Sequence, residues 1–431
     1  MKLKLIAPSN IPISLENVTD TKLITLYPKY ALLLLSALTP SDWEVKIVDE
    51  TIEDDNIDEP VDLVGITVAT SRAYRAYKIA EIYRAKNVKV ILGGIHVSIL
   101  PNEAIQYADA VVIGESEYTW PILLEDFKKG NLKKFYYAPK THHLVDLPVP
   151  RRDLLKRKFY DKPDTVETSR GCPFDCEYCC SKFFGQNYRF RPIENVINEI
   201  STLEGNYVVF LDDNIIGNKQ RAKELFEGMI PLCKKWTAQS TIDIVDDKAL
   251  LNLAQKSGCT NLMIGFDTLN TRNLSIINKR FNDVKRYSSS IKILQDYGVR
   301  VVGHFIFGFD EDDDRVFDST LEFVNKNKIH LPLFWLLTPY PGTRLYTRLK
   351  AEGRIFDSNW ENYDSRHVTF KPNKMSPEKL HEGYQLAYRE VTSLYSIARR
   401  TFNFQKHFVS RVKYNLFTRK MAQSGFFYYI E

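Results

Sequence analysis

Only six cysteines occur in 431 residues, and four of them crowd into nine positions, which excludes the evenly spread disulfide framework of a small secreted domain. No run of the roughly 18 apolar residues that a bilayer span requires is present. The longest early run, Tyr30 to Leu38, is too short, so no transmembrane segment is expected. The opening MKLKLIAPSN breaks at Pro8 and lacks a cleavable apolar region; it reads as a first strand rather than a signal peptide, and a cytoplasmic protein is expected. Basic runs with nucleic-acid spacing are missing and the net charge of +5 is mild for this length, so nucleic acid is not expected as a partner. Internal repeats and low-complexity tracts are missing too. The dinucleotide fingerprint GxGxxG does not follow the first strand, where Ala7-Pro8-Ser9-Asn10 stands instead, and this disfavours nicotinamide binding.

What is there fits a folded chain of two or three domains, with 44% hydrophobic and 26% charged residues. Residues 1–128 alternate short β-branched runs with helical stretches, which predicts a doubly wound, Rossmann-like parallel sheet. Its strands are expected at Leu3–Ala7, Glu44–Val48, Leu63–Thr67, Val88–Leu92 and Ala110–Ile113. Residues 129–163 are rich in Lys, Arg and Pro without a period, and read as a linker. A second alternation over 164–355 gives six β/α units, with strands near Thr165–Thr168, Tyr207–Leu211, Trp236–Ser240, Asn261–Gly265, Val301–Phe307 and Pro332–Leu337. That order predicts a partial (β/α)6 barrel with its chemistry at the C-terminal strand ends. Residues 356–431 read as a helical C-terminal region on the substrate side.

Thr168-Ser169-Arg170-Gly171-Cys172-Pro173-Phe174-Asp175-Cys176-Glu177-Tyr178-Cys179 follows the first strand of the second alternation. Three thiolates on one tight loop can ligate three irons of a cubane and leave the fourth open. Zinc sites take four ligands, usually in pairs, and no second CxxC or nearby His pair completes such a set. Cys180, Cys233 and Cys259 read as small core residues. The CxxxCxxC spacing, with an aromatic Tyr178 before the last cysteine, resembles the radical S-adenosylmethionine (SAM) superfamily. The resemblance implies that Cys172, Cys176 and Cys179 hold a [4Fe–4S] cluster, that S-adenosylmethionine binds the open iron, and that Tyr178 lies by its adenine. Reductive cleavage would then give a 5′-deoxyadenosyl radical, the electron coming from an external one-electron donor such as flavodoxin or ferredoxin.

Later strand ends look like the same superfamily. Asp212 and Asp213 are candidates for the amino group of the cofactor or for substrate, with helix capping as the plain alternative. Gln239, Ser240, Gly265, Asp267 and Phe307 are candidates for further S-adenosylmethionine contacts, Phe307 from beneath the adenine. Tyr340, in Thr338-Pro339-Tyr340-Pro341-Gly342, is a candidate to face the substrate, with packing as the alternative. In the first domain, the strand ends carrying Thr67 and Ser71, Gly93, Gly94 and His96, and Gly114 and Glu115 together resemble the cobalamin-binding domain that precedes the radical core in many such enzymes. One departure stands out: the DxHxxG motif that supplies an axial histidine in other cobalamin proteins is missing, and His96 is misplaced for it. The resemblance is therefore to the subgroup that binds cobalamin (B12) without a protein histidine on cobalt.

The resemblance implies methylation of an unactivated carbon of a small molecule, lipid or natural-product intermediate. Two alternatives stand beside it: a cyclase, rearrangement or carbon–carbon coupling enzyme whose first domain is a lid without cobalamin, and a non-catalytic iron–sulfur redox sensor. A methylthiotransferase would need three more clustered cysteines in residues 1–128, which hold none. The aromatic segments Phe402-Asn403-Phe404 and Phe426-Phe427-Tyr428-Tyr429 suit an apolar substrate or peripheral contact with a membrane surface, and suit core packing equally.

Overall fold

The computed structural model describes residues 1–10, 26–139, 143–181, 183, 188–401, 412, 415–416 and 418–420. The aromatic segments at 402–404 and 426–429 lie outside the described residues. The chain divides into two compact units, one built mainly from Met1–Thr165 and the other mainly from Val166–Cys179, Ile193–Ser358 and Ser365–Glu431.

The first unit is a six-stranded sheet of β1 (Lys2–Ala7), β2 (Glu44–Asp49), β3 (Leu63–Thr67), β4 (Lys89–Gly93), β5 (Ala110–Ile113) and β6 (Phe135–Tyr137), in the order β2-β1-β3-β4-β5-β6. Every pair is parallel. Its inner strands are apolar on both faces because helices cover both. Val64, Ile66, Val90 and Leu92 pack on the helix Ala73–Ala85 through Ala76, Ile79 and Tyr83. Leu3, Leu5, Leu63 and Ile91 pack on the opposite side against Leu32, Trp120 and Leu123. The order reverses between β1 and β3, the switch point where open α/β sheets admit a ligand. Strand β6 lies in the stretch expected as linker; three residues carry no readable period, and pairing with β5 defines it, Val111 opposite Phe135.

The second unit holds β7 (Thr165–Val166), β8 (Tyr207–Phe210), β9 (Lys235–Ser240), β10 (Cys259–Asp267), β11 (Arg300–Phe307) and β12 (Leu331–Leu336), in sequential order. The pairs from β8 to β12 are parallel. Helices such as Ile193–Ser201, Lys219–Met229 and Tyr287–Asp296 return the chain, giving the expected part-barrel. The helix Lys219–Met229 ends there because Pro231 forces a tight turn and Cys233 follows in a left-handed conformation at φ 52°. Alternation sorts the strand residues into two sets. Leu262, Ile264, Val301, Phe305, Phe307, Phe334 and Leu336 join helix residues in one large core. Met263, Val302, Leu331, Leu333 and Trp335 form a separate cluster on the opposite, luminal face.

Candidate active site

The cysteine loop leaves β7 through a buried brace. Asp212, just past β8, is 1% exposed and accepts from the Thr168 amide at 3.0 Å, the Thr168 hydroxyl at 2.6 Å and the Ser169 hydroxyl. Burial pushes its carboxyl up, against the pull of those donors. The sequence offered Asp212 as a cofactor contact; the correction is that this carboxylate is spent on the loop itself. Its neighbour Asp213 remains exposed at the strand end and accepts a backbone hydrogen bond from Gly171. The protein mass around it, then the Asp212 carboxylate, push Asp213 up to about 6. Gly171 sits at φ 84°, in the left-handed region glycine tolerates, and so turns the chain into Cys172.

Cys172, Cys176 and Cys179 form no disulfide, and each is partly buried. Burial pushes Cys172 up to about 11 and Cys176 up to about 12, and the thiols repel one another's charge. Thiols so placed become thiolates only with a compensating cation such as iron. No group of three or more His, Cys, Asp or Glu at single-ion spacing occurs among the described residues. A cubane takes one thiolate per iron, a demand that three thiols from one loop can meet.

The loop is tied down from several sides. Glu177 forms a two-pronged ion pair with Arg348, at 2.7 and 3.1 Å, and Arg348 also reaches Asp310 at 2.8 Å. The Asp175 carbonyl accepts from Asn278 at 2.9 Å and Arg344 at 2.6 Å. The Phe174 ring stacks on Phe281 with centroids 3.7 Å apart. Tyr178 donates its hydroxyl to Asp267, and Lys279 pairs with the same carboxylate oxygen. Asp267 adopts φ 61° where β10 slips its register against β11. A Cβ at Gly265 would lie 2.9 Å from the Lys279 ammonium and 3.2 Å from Asp267 Oδ1, so this glycine makes the room that the pair occupies. Burial alone would lower Lys279; Asp267, with Cys176 next, raises it.

Among the remaining candidates, Gln239 is exposed on the luminal face of β9, whereas Ser240 is buried and donates to the Thr241 carbonyl at 3.0 Å. The Tyr340 hydroxyl bonds Ser365 Oγ at 3.1 Å. Phe307 does not underlie a ligand. It is 1% exposed in the helix-side core, against Phe317 at 4.9 Å and Phe334 at 5.3 Å, because its place in the alternation turns it away from the lumen. The residue two back from luminal Ile306 is His304, which the sequence reading passed over, together with Trp335 and Lys279. A polar residue inside the apolar run Val301 to Phe307 was the available signal.

In the first unit, Gly94 (φ 103°) and Gly114 (φ 88°) close the ends of β4 and β5. A Cβ on Gly94 would meet the Val68 backbone nitrogen at 2.8 Å and oxygen at 2.9 Å, and Thr67 Oγ1 at 3.2 Å. Gly93 accepts from the Val68 amide at 2.8 Å. Asn10 donates to the Ser71 carbonyl at 2.5 Å, joining the loops after β1 and β3 at the switch point. Two expectations are corrected. His96 is wholly buried, its Nε2 3.1 Å from the Tyr77 hydroxyl and 3.2 Å from Glu103, beneath the Trp360 ring; the short helix Ile95–Ile99 carries it into the core. Glu115 is 7% exposed and ion-paired to Arg189, a partner 74 residues away in the chain.

Comparison with known proteins gives three family matches: the radical SAM superfamily over residues 166–324, the B12 binding domain over 25–124, and a domain of unknown function, DUF4070, over 343–426. Bacteriochlorophyllide d C-12(1)-methyltransferase of Chlorobaculum tepidum is 32% identical over 406 residues, covering 91% of this chain and 89% of its own. Bacteriochlorophyllide d C-8(2)-methyltransferase of the same organism is 29% identical over 412 residues, covering 91% of each. The fold is shared with the radical S-adenosylmethionine methyltransferase TsrM from Kitasatospora setae, solved with cobalamin and a [4Fe–4S] cluster: TM-score 0.69, 14% identity, 98% of this chain and 99% of that one. Among the described residues, no helix is long and apolar enough to cross a membrane.

Proposed function

Because the chain belongs to the radical SAM superfamily, in the subgroup with a B12-binding domain ahead of the radical core, we propose that it methylates an unactivated carbon of a small-molecule or lipid substrate. It is an enzyme, and its cofactors are a [4Fe–4S] cluster, S-adenosylmethionine and cobalamin. When bound, these groups supply an electron, a 5′-deoxyadenosyl radical that removes a substrate hydrogen, and the methyl group.

The observation that carries the reading is the cysteine loop: three partly buried thiols outside any disulfide, braced by Asp212, Asp213, Glu177 and Tyr178. Cys172, Cys176 and Cys179 hold the cluster. Asp213, with a carboxyl pushed up to about 6, stands exposed at the strand end and takes the amino group of S-adenosylmethionine. Gln239 offers a further polar contact from the luminal face. The apolar wall of Met263, Val302, Leu331 and Leu333 keeps water from the reacting carbon.

On the cobalamin side, Thr67, Ser71, Gly93, Gly94 and Gly114 border the cofactor, as the close backbone approaches at the ends of β3 and β4 support. Engagement of His96 by Tyr77 and Glu103 supports a cobalt without a protein histidine. The test is incubation of the reconstituted, reduced enzyme with trideuteromethyl-labelled S-adenosylmethionine and a metabolite extract. A product heavier by one labelled methyl group is expected; release of 5′-deoxyadenosine without any labelled product would reject methyl transfer in favour of another radical reaction.

A further inference from the structure

His304 lies mid-strand in β11, directly across from Gly265 on β10. Its neighbours Val301, Phe305 and Phe307 face the helices, so the imidazole faces the lumen, where Val302 joins Met263, Leu331, Leu333 and Trp335. The Trp335 indole lies nearly parallel to it, at 17° with centroids 6.1 Å apart. Its Nε1 is 3.1 Å from His304 Nδ1. An indole nitrogen can only donate, so Nδ1 accepts and the ring proton resides on Nε2. That Nε2 is buried and, among the described residues, has no hydrogen-bond partner. A buried N–H left unmade is costly and calls for an explanation.

The surroundings say what would complete it. The groups whose charge reaches the imidazole are Asp267 and Lys279, the pair that also meets Tyr178 of the cysteine loop. Burial, outweighing the pull of Asp267, brings His304 down to about 4, so at neutral pH it is an uncharged donor beside a buried ammonium. An unmade N–H next to a cation, in an apolar lumen, suits an anionic oxygen. S-adenosylmethionine has one anionic group, its carboxylate. We propose that His304 binds this carboxylate, donating Nε2–H to it beside Lys279, with Trp335 fixing the tautomer and plane of the ring. The assignment rests on the radical SAM reading above and adds a residue that the cysteine motif does not contain.

The test measures equilibrium binding, under anaerobic conditions and with the cluster oxidised, of S-adenosylmethionine and of its decarboxylated form, which lacks only the carboxylate. His304→Phe should weaken S-adenosylmethionine by about tenfold or more, as expected for a hydrogen bond to a charged group, and leave the decarboxylated ligand unchanged. His304→Gln, which keeps a donor, should recover most of the loss, and bound iron should be equal in all three proteins. Equal weakening of both ligands, or of neither, would overturn the assignment. A wild-type protein with a full cluster that binds neither ligand would overturn the radical SAM reading together with it.

Discussion

Removing the Glu177–Arg348 pair should loosen the cysteine loop without unfolding the protein. Glu177 stands between Cys176 and Cys179, and Arg348 lies on the helix Arg344–Ala351 that follows β12. Two charge-assisted hydrogen bonds join them, with side chains 12% and 30% exposed. At a charge separation of about 4 Å and an effective dielectric of about 20, the Coulomb attraction is about 4 kcal/mol before desolvation and ordering are subtracted. Exposed pairs retain about 0.2–1 kcal/mol, whereas breaking a buried pair costs about 3–5 kcal/mol. A half-buried, two-pronged pair falls between, so a coupling of about 1–2 kcal/mol is expected. The assay is a double-mutant cycle with Glu177→Gln and Arg348→Met, read as the rate at which a strong chelator strips iron from the reconstituted protein. A loss of about 1.4 kcal/mol in loop anchoring corresponds to about tenfold faster release. Because Arg348 also holds Asp310, Arg348→Met should exceed Glu177→Gln, and the double variant should fall short of their sum. Strict additivity, or release at the wild-type rate in both single variants, would refute the view that this pair holds the loop.

Alanine at Cys172, Cys176 or Cys179 should abolish bound iron after reconstitution, while Cys180→Ser and Cys233→Ser should load normally; iron assay and visible absorbance check both. Gly94→Ala forces a side chain onto the Val68 backbone at 2.8 Å from a left-handed φ, so it should lower the melting temperature of the first unit and eliminate the spectral change on adding hydroxocobalamin. His304 contributes a defined pH dependence. Its folded value, about 4, is below the ordinary 6.5 of a histidine, so the unfolded state binds the proton first, and stability falls as pH drops through that window, by up to about 3 kcal/mol. Urea unfolding of His304→Phe should be correspondingly flatter between those two pH values than that of the wild type.

The cysteine loop stood out in the sequence because its information is local: spacing, an aromatic before the last cysteine, and a strand just ahead. The two parallel sheets were legible for a similar reason, since strands covered on both faces read as short apolar runs between helical periods. The same property hid the facing of β11. Val301 to Phe307 carries apolar residues on both faces, and the polar His304 that marks its phase was passed over, so Phe307 was given a ligand role although it faces the helices. Long-range partners were equally hidden. Nothing near Glu115 announces Arg189, and nothing near His96 announces Tyr77 or Glu103. Asp212 and Asp213 are adjacent in sequence, yet one is buried under two hydroxyls and an amide while the other stands open; only the packed strand ends separate their duties.

The measurement closest to the centre of the account is the release of 5′-deoxyadenosine. Wild-type protein, reconstituted with iron and sulfide, reduced, and given S-adenosylmethionine alone, should form it over time, and the Cys176→Ala protein under the same conditions should form none. Equal amounts from both proteins, or none from a fully loaded wild type, would contradict the assignment of Cys172, Cys176 and Cys179 as ligands of a catalytic cluster.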